Sequence, residues 1–160
     1  MAALPLHFRS ATELARLLPV VKALRRRFPQ VALSVDTYKP AVARACVEAG
    51  ADLVVTPELS LVGYPPRDLV FKTQFVPKCL QALDYLAGES REVPLLVGYV
   101  DHHHPTRPGK PFRNAAAWLQ EGKVLHRVWK TLLPTYDVFD ERRYFEPGES
   151  SEPIVWNGRR

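Results

Sequence analysis

Apolar residues along this chain occur either at helical spacing or in short dense runs, and the alternation of the two patterns predicts alternating helices and strands. Apolar positions three and four apart predict helices over residues 10–28, 40–49 and 76–88, with a short helix over 68–72. Denser apolar runs predict strands over residues 31–35, 51–55, 95–100, 115–119, 124–129 and 153–156. Residues 101–112 and 131–152 show no clean period, which predicts loops. The order of elements indicates an α/β fold.

Residue types at the ends of the predicted helices indicate where each helix begins and ends. Ser10 and Glu13 have the spacing of a capping box, in which each side chain bonds a free helix amide. Pro19 interrupts the apolar stripe of the first helix and predicts a kink or a break. Gly50 and Gly88 follow the last apolar positions of the second and third helices, where glycine commonly ends a helix.

Two charged residues directly follow predicted strands. The strand over 51–55 ends in Thr56-Pro57-Glu58, which places a carboxylate at the carboxyl end of a strand. Lys130 stands at the end of the strand over 124–129. Ligands and catalytic groups of open α/β sheets collect at this edge, although a single carboxylate there is more often a solvated loop acid. Glu58 and Lys130 are therefore the first candidates for catalytic residues.

Composition and charge are those of an ordinary globular domain. Of the 160 residues, 46% are apolar and 24% are charged, which excludes a disordered chain. The net charge of +5 arises from 22 basic and 17 acidic residues, and much of the excess lies in Arg25–Arg27 and Arg159–Arg160. The run at residues 25–27 is interpreted as a solvated helix end, so this charge gives no specific indication of a nucleic-acid partner.

The cysteines and the lengths of the apolar runs bear on the compartment. Cys46 and Cys79 lie within helical patterns and form no CxxC motif, which favours buried thiols in a reducing compartment. No apolar run approaches the roughly 20 residues that a membrane span needs. The first residues lack the order of a signal peptide. A cytoplasmic protein without a membrane partner is the expectation.

From Gly50 onward the chain resembles the nitrilase superfamily of carbon-nitrogen hydrolases, and most closely the glutaminase domain of glutamine-dependent NAD synthetase. The resemblance lies in GADLVVTPELSLVGYPPRDLVF (50–71), LLVGYV (95–100), NAAAWLQEGKVLHRVWKTLLPTYDVFDERRYFEPGE (114–149) and IVWNGRR (154–160). The family fold is an α-β-β-α sandwich with a Glu-Lys-Cys triad. The resemblance thus implies an incomplete sandwich of this type, entered through a strand–helix–strand unit.

The resemblance assigns roles to particular residues and names glutamine as the substrate. Glu58 matches the general base and Lys130 the lysine that stabilises the transition state. Glu141 matches a further acidic residue near the site, and Tyr64 and Tyr136 are supporting candidates. Amide hydrolysis through a thioester needs a base to form the thiolate and a fixed cation for the developing oxyanion, so these residue types suit the reaction.

The nucleophilic cysteine of the family has no counterpart in this sequence. It would follow shortly after residues 154–160, and the sequence ends at Arg160. Cys46 and Cys79 lie in apolar helical patterns and are expected to be inert core thiols. The expectation is therefore a chain that is inactive by itself. ATP and deamido-NAD would belong to an absent synthetase domain, and no cofactor is expected in this chain.

Residues 10–52 resemble a segment of dihydropteroate synthase, a TIM-barrel enzyme of folate synthesis. The SVDTYKP run (34–40) carries this resemblance, and Asp36 matches a residue that contacts the pterin. An ordinary strand-end acid is the other interpretation of Asp36. The two resemblances meet at Gly50, which predicts a dihydropteroate synthase-like segment over 1–50 packed onto the same sheet as a partial hydrolase domain over 51–160. The hypothesis is a chimeric chain.

Other functions remain open from the sequence. A non-catalytic module that forms homo-oligomers through nitrilase-type contacts is one alternative, since an incomplete sheet leaves an edge strand unpaired. A pterin-binding fragment of the folate pathway is a second. His102–His104 are possible metal ligands, although adjacent histidines rarely converge on one ion without further partners.

Overall fold

Five strands form a single mixed sheet in the computed structural model, which describes residues 6–104, 106–149 and 152–158, and only the backbone of residues 6–9. The strands are β1 (Ser34–Asp36), β2 (Leu53–Val55), β3 (Leu95–His102), β4 (Phe112–Gln120) and β5 (Lys123–Trp129). They lie side by side in sequence order. β1, β2 and β3 are parallel, whereas β3, β4 and β5 are antiparallel. The α/β fold is confirmed.

The four helices that the periodicity predicts are present, and one further turn of helix follows β5. They are α1 (Leu6–Arg27), α2 (Pro40–Glu48), a 3-10 helix (Arg67–Phe71), α3 (Phe75–Glu89) and the single-turn α4 (Glu141–Tyr144). Pro40 occupies the first turn of α2, where its missing N–H removes no hydrogen bond. Within the described part of the chain, no helix combines the length and the apolarity needed to cross a membrane.

The longer helices pack on one face of the sheet. Crossovers between adjacent parallel strands are right-handed, which places α2 and α3 on the same side. α3 packs on β3 and β4 in one core cluster: Cys79, Leu83, Ala87, Val97, Tyr99, Ala115, Ala117 and Leu119. α1 and α2 cover β1 through a second cluster of Val21, Val35, Val42, Cys46 and Ala51. Burying such a side chain contributes about 1.5–3 kcal/mol, so these clusters orient the sheet.

The opposite face of the sheet is only partly covered. Alternation along β3, β4 and β5 places Leu96, Ala116 and Val128 there, and all three are half-buried. Trp156 covers one end of this face, with its ring centroid 5.6 Å from that of Trp118. The chain thus forms one helical layer on one sheet, which is half of an α-β-β-α sandwich.

Two charged side chains of α1 hold this helix against the strand–helix–strand unit. The Arg25 guanidinium donates to the Gly50 carbonyl oxygen from Nε at 3.0 Å and from Nη2 at 2.6 Å, and it pairs with Asp52. The Glu13 carboxylate accepts a hydrogen bond from Thr37 and pairs with Lys39. Arg25 therefore binds Gly50, the residue at which the two sequence resemblances meet. The division of the chain at Gly50 stays a prediction.

Several predicted details of α1 and α3 are wrong. The capping box fails because α1 begins at Leu6, before Ser10, and Glu13 bonds residues outside the helix. Arg25 is not a solvated helix end, since it binds the Gly50 turn. α3 continues through Gly88, because the Ser90 hydroxyl donates to the Leu86 carbonyl oxygen at 2.8 Å and caps the helix end there. Gly50 does follow α2 with a φ of +105°, as predicted.

Other predicted elements have different extents in the structure. α1 is unbroken across Pro19, since apolar packing of its face on α2 outweighs one missing hydrogen bond. Residues 31–33 precede β1, and residues 152–155 form no strand. α4 lies inside the segment over 131–152 that is predicted to be loop. Its single turn is too short for a sequence period to reveal.

Gly98 on β3 allows the turn after β2 to lie directly on the sheet. A Cβ atom at this position would lie 2.5 Å from the Leu59 nitrogen and 2.7 Å from the Pro57 carbonyl oxygen. Both atoms belong to the backbone, so neither can rotate away. The close approach fixes the turn that carries Glu58.

We expect Gly98→Ala to lower the free energy of unfolding by about 1–3 kcal/mol, because the added methyl group must push the 57–59 backbone away from β3. Gly88→Ala in α3 is the matched control. Nothing lies within 4 Å of the added atom there, and the higher helix propensity of alanine should raise stability by about 0.5–1 kcal/mol. Urea denaturation measures both, and shifts of the same sign would contradict this account.

Candidate active site

The turn after β2 holds Glu58 in a fixed position. The Thr56 N–H donates to the Leu96 carbonyl oxygen at 2.9 Å, and the Thr56 and Ser60 hydroxyls share a hydrogen bond of 2.6 Å. The Leu59 side chain is fully buried and its φ is +51°. These contacts anchor the turn that directly follows β2. The Glu58 carboxylate projects from this turn.

The backbone of Lys130 is held on both sides. Its N–H donates to the Asn114 carbonyl oxygen at 2.8 Å, which extends the pairing of β4 and β5 by one residue. Its carbonyl oxygen accepts from the Gly148 N–H at 2.9 Å. A Cβ atom at Gly148 would lie 2.4 Å from the Trp129 carbonyl oxygen, so glycine is needed for this contact. Lys130 therefore leaves the sheet in a defined direction.

The Lys130 ammonium group contacts two carboxylates at once. Its Nζ lies 2.7 Å from Glu58 Oε1 and 2.9 Å from Glu141 Oε1. The three side chains differ in exposure, with 43% for Glu58, 31% for Lys130 and 4% for Glu141. The buried carboxylate thus anchors the lysine, and the exposed carboxylate is the one that a ligand can reach.

Two neutral donors complete the cluster. The Asn114 amide nitrogen donates to Glu58 Oε1 and, at 3.3 Å, to Glu141 Oε2. The Tyr64 hydroxyl donates to Glu141 Oε1 at 2.7 Å. Because both neighbours of the Asn114 amide are acceptors, its NH₂ group must face them. Asn114 therefore links the two carboxylates without adding charge.

No pattern in the sequence singles out Asn114 as a site residue. It is buried in β4, at the start of the apolar run Asn114-Ala115-Ala116-Ala117. The only local signal in the sequence is a polar residue at the start of an apolar run. This signal does not identify Glu58 as its hydrogen-bond partner. Glu58 lies 56 residues away along the chain, so only the fold reveals the contact.

The charges of the cluster fix the protonation of its donors. Partial burial lowers the pKa of Lys130, but the hydrogen bonds to Glu58 and Glu141 and their charges outweigh this and raise the pKa above its ordinary value. Burial, together with the Glu141 carboxylate, raises the pKa of the Tyr64 hydroxyl. Lys130 is therefore an ammonium ion and Tyr64 a neutral donor at neutral pH.

The other predicted site residues have different surroundings. Glu141 begins α4, and its N–H donates to the Pro134 carbonyl oxygen at 3.1 Å. Tyr136 is exposed, and its ring packs on Phe139 with centroids 5.5 Å apart. Among the described residues, the Tyr136 hydroxyl has no hydrogen bond to the cluster. Tyr136 therefore lies at the rim.

A cavity of about 390 Å³ opens on the partly covered face of the sheet, beside the cluster. Polar side chains at one end and apolar sheet residues at the other line it, among them Thr56, Glu58, Leu96, Asn114, Val128 and Lys130. A carboxylate and an ammonium ion at one wall suit a small polar ligand with both donors and acceptors.

Neither thiol reaches this cavity. Cys46 on α2 and Cys79 on α3 are buried in the helical layer, on the other side of the sheet. Burial raises the pKa of both thiols, which disfavours the reactive thiolate. The expectation that they are core thiols agrees with this placement.

The three adjacent histidines have separate neighbours. The His102 ring packs on Phe112, with centroids 5.6 Å apart, and His104 Nδ1 shares a hydrogen bond of 2.9 Å with the Thr106 hydroxyl. The His103 ring is buried, and neither of its nitrogens has a partner among the described residues. No group of three potential metal-binding side chains occurs in the described ranges.

Asp36, the pterin candidate, is the last residue of β1 and its side chain is exposed. The neighbouring Thr37 and Lys39 both contact Glu13. Those polar groups hold α1 to the loop before α2. This placement agrees with Asp36 as an ordinary strand-end acid.

Curated relatives of the chain are glutamine-dependent NAD(+) synthetases. That of Synechocystis sp. (strain ATCC 27184 / PCC 6803 / Kazusa) is 44% identical over 110 residues, which cover 67% of this chain and 20% of the relative. That of Xanthomonas campestris pv. campestris is 40% identical over 114 residues, which cover 71% and 20%. The chain spans about a fifth of the length of these relatives.

A solved structure and a family model also match. The glutamine-dependent NAD+ synthetase from Acinetobacter baumannii, in complex with adenosine diphosphate, matches with a TM-score of 0.64 and 32% identity, over 72% of this chain and 21% of that chain. The family model for pterin binding enzymes matches residues 7–56. This second match includes the 10–52 segment and Asp36.

The raised pKa of Lys130 predicts how stability changes in alkali. The folded chain holds this proton more tightly than the unfolded chain, whose lysine has the ordinary pKa of 10.5. The contribution to the free energy of unfolding is therefore complete below about pH 10.5 and is lost as the pH rises through the folded pKa. We expect Lys130→Met to lose less stability over this range than the unsubstituted chain.

Urea denaturation followed by tryptophan fluorescence, at intervals from pH 8 to pH 11.5, measures this difference. Lys78→Met is the matched control, because Lys78 is an exposed lysine of α3. It should keep the alkaline slope of the unsubstituted chain. Equal slopes for all three proteins would rule out the proposed coupling of Lys130 to the two carboxylates.

Proposed function

Because this chain is homologous to the glutamine-dependent NAD(+) synthetases over about two thirds of its length, we propose that it supplies part of the glutaminase site of such an enzyme. Glutamine is the proposed substrate, and ammonia and glutamate are the proposed products. The observation that carries the proposal is the contact of Lys130 Nζ with both Glu58 and Glu141 beside a cavity.

Glu58 is the proposed general base. Its carboxylate is the most exposed of the three charged groups and lines the cavity. The hydrogen bonds from Lys130 and Asn114 both reach Oε1, which leaves Oε2 as the oxygen that can accept a proton from a nucleophile. A base must lie within hydrogen-bond reach of the proton it removes, and Oε2 is the atom that offers this.

Lys130 is the proposed stabiliser of the oxyanion. Attack on the glutamine side-chain amide puts negative charge on its oxygen, and a fixed cation nearby lowers the energy of that state. The contact with buried Glu141 and the two backbone hydrogen bonds hold the ammonium group in place before substrate arrives. Little reorganisation is then needed during the reaction.

The thiol that would form the thioester is not supplied by Cys46 or Cys79, because both lie in the helical layer. We therefore propose that the chain binds glutamine but does not hydrolyse it by itself. ATP and deamido-NAD are assigned to the synthetase portion of such enzymes rather than to this chain. The two free thiols suit a reducing compartment, and a cytoplasmic location is proposed on that basis.

Titration with glutamine, followed by NMR of the backbone amides, tests the binding step. We expect saturable shifts at residues 56–60, 114–116 and 128–131, with a Kd on the order of millimolar. Lys130→Met should weaken binding about 10- to 150-fold, because a charged hydrogen bond contributes about 1.5–3 kcal/mol. Lys78→Met, in which an exposed α3 lysine is replaced, should bind glutamine as the unsubstituted chain does.

Leucine, which has a similar size but no side-chain amide, is the matched ligand control and should give no saturable shift. Glutamate release should stay at the level of a blank reaction. Equal shifts with leucine and glutamine would refute the binding site. Glutamate release that disappears in Glu58→Ala would refute the statement that the chain lacks its own nucleophile.

A second candidate function is self-association through the partly covered face of the sheet. Leu96, Ala116 and Val128 are half-buried there, and β1 and β5 are the edge strands of the sheet. Such a face and such edges favour contact with a second copy of the chain. A non-catalytic assembly module would use this surface without any chemistry at Glu58.

Size-exclusion chromatography with light scattering tests the second candidate. If the face associates, we expect a dimer or larger oligomer that Val128→Lys converts to monomer, because a charge would be buried in the contact. Leu132→Lys is the control, since Leu132 is 84% exposed in a loop. A monomer at all concentrations would exclude this function.

A further inference from the structure

Arg113 on β4 is a buried cation that forms no ion pair with any residue that the structure describes. The residue is only 8% exposed, and its guanidinium carbon lies 5.0 Å from the centroid of the Trp129 ring. Its Nε is buried and has no hydrogen-bond partner among the described residues. No carboxylate of the described ranges forms an ion pair with it. A buried charge normally has such a partner, because desolvation is costly.

The nearest acid in the sheet is engaged elsewhere. Asp101 on β3 is the cross-strand neighbour of Arg113. Its Oδ2 accepts hydrogen bonds from the Tyr99 hydroxyl and from Trp129 Nε1, both at 2.9 Å, and its Oδ1 accepts from the His102 N–H. Asp101 therefore orients the indole ring on which Arg113 lies, and within the described residues it forms no ion pair with the guanidinium group.

Arg113 faces a cavity of about 420 Å³ with a basic lining. The other lining residues are His102, His104, Arg107, Trp129 and Glu149. Glu149 is the only acid among these described lining residues, and it pairs with Arg107 at 2.5 Å, so Arg113 has no ion-pair partner in the lining. The cavity beside Glu58 shares only Trp129 with this lining, so the two are separate places in the fold.

We propose that this cavity is a binding site for a small oxyanion, a phosphate or carboxylate group, with Arg113 as its principal ligand. A guanidinium group presents paired N–H donors whose spacing matches two oxygens of such a group. The contact of Arg113 with the Trp129 ring restrains the guanidinium group before the anion arrives. His102 and His104 lie at the rim, where their ring N–H groups can donate to the remaining oxygens.

This site does not depend on the glutaminase proposal, since none of its charged residues takes part in the Glu58 cluster. The competing account is that solvent alone satisfies Arg113. The two accounts differ in one measurable respect, because a built site saturates with oxyanions and discriminates them from a simple halide, whereas a solvated guanidinium group does neither.

Titration of the full chain with inorganic phosphate, sodium acetate and sodium chloride, at one ionic strength, tests the proposal. The Nε–H signal of Arg113 in nitrogen-15 NMR is the direct readout. We expect it to shift and saturate with phosphate or acetate, with a Kd on the order of millimolar, and to stay unchanged with chloride. The oxyanion that binds more tightly identifies the source, a phosphate ester or a carboxylic acid.

Arg113→Met should weaken oxyanion binding at least about tenfold, and Arg107→Met should weaken it less. Arg107 is 58% exposed, so its replacement leaves the core intact even if Arg113→Met fails to fold. Arg44→Met is the matched control, because Arg44 lies exposed on α2 and away from the cavity. It should bind the anion as the unsubstituted chain does.

Three results would overturn the proposal. One is an Arg113 signal that does not saturate with either oxyanion. Another is an equal response to chloride, which would mean general screening of charge. The third is an equal loss of affinity in Arg44→Met and Arg107→Met, which would place the binding outside the cavity.

Discussion

The contact of one ammonium group with two carboxylates is the constraint on which the site depends. Glu58 and Glu141 come from a turn after β2 and from α4, and Lys130 from the end of β5. Two carboxylates at one site repel each other, and the ammonium group between them offsets this repulsion. Three distant segments must therefore be placed within hydrogen-bond distance. Folding of residues 51–149 brings these three segments together.

The arrangement of layers decides which groups can take part in chemistry. All three longer helices pack on one face of the sheet, so the other face is left for the cavity beside Glu58. Gly98 allows the turn with Glu58 to lie against the sheet on that face. The same layering keeps both thiols away from the cavity, because Cys46 and Cys79 belong to the covered face. The topology thus places Glu58 on one side of the sheet and the two thiols on the other.

The two faces of the sheet carry charge in different ways at the same end of the strands. In the Glu58 cluster each charged group has an opposite partner, because Lys130 lies between the two carboxylates, and Asn114 and Tyr64 supply further donors. Arg113 forms no ion pair with any described residue, although it is more deeply buried than Lys130. Ion pairing offsets the cost of burying a charge, and this offset is absent in the contacts of Arg113. Trp129 and Asp101 instead form a rigid hydrogen-bonded pair beside the guanidinium group.

The sequence by itself determined the α/β class, five of the six proposed strands and the positions of Glu58 and Lys130 at strand ends, because alternation and strand-end residues are local properties. Tertiary structure decided the rest. Glu13 and Arg25 bind partners 24 and 25 residues away, and Asn114 reaches Glu58 across 56 residues. The burial of Glu141 in α4 follows from packing of a single turn that has no sequence period. Contacts at such separations depend on how the sheet folds, and no local pattern records them.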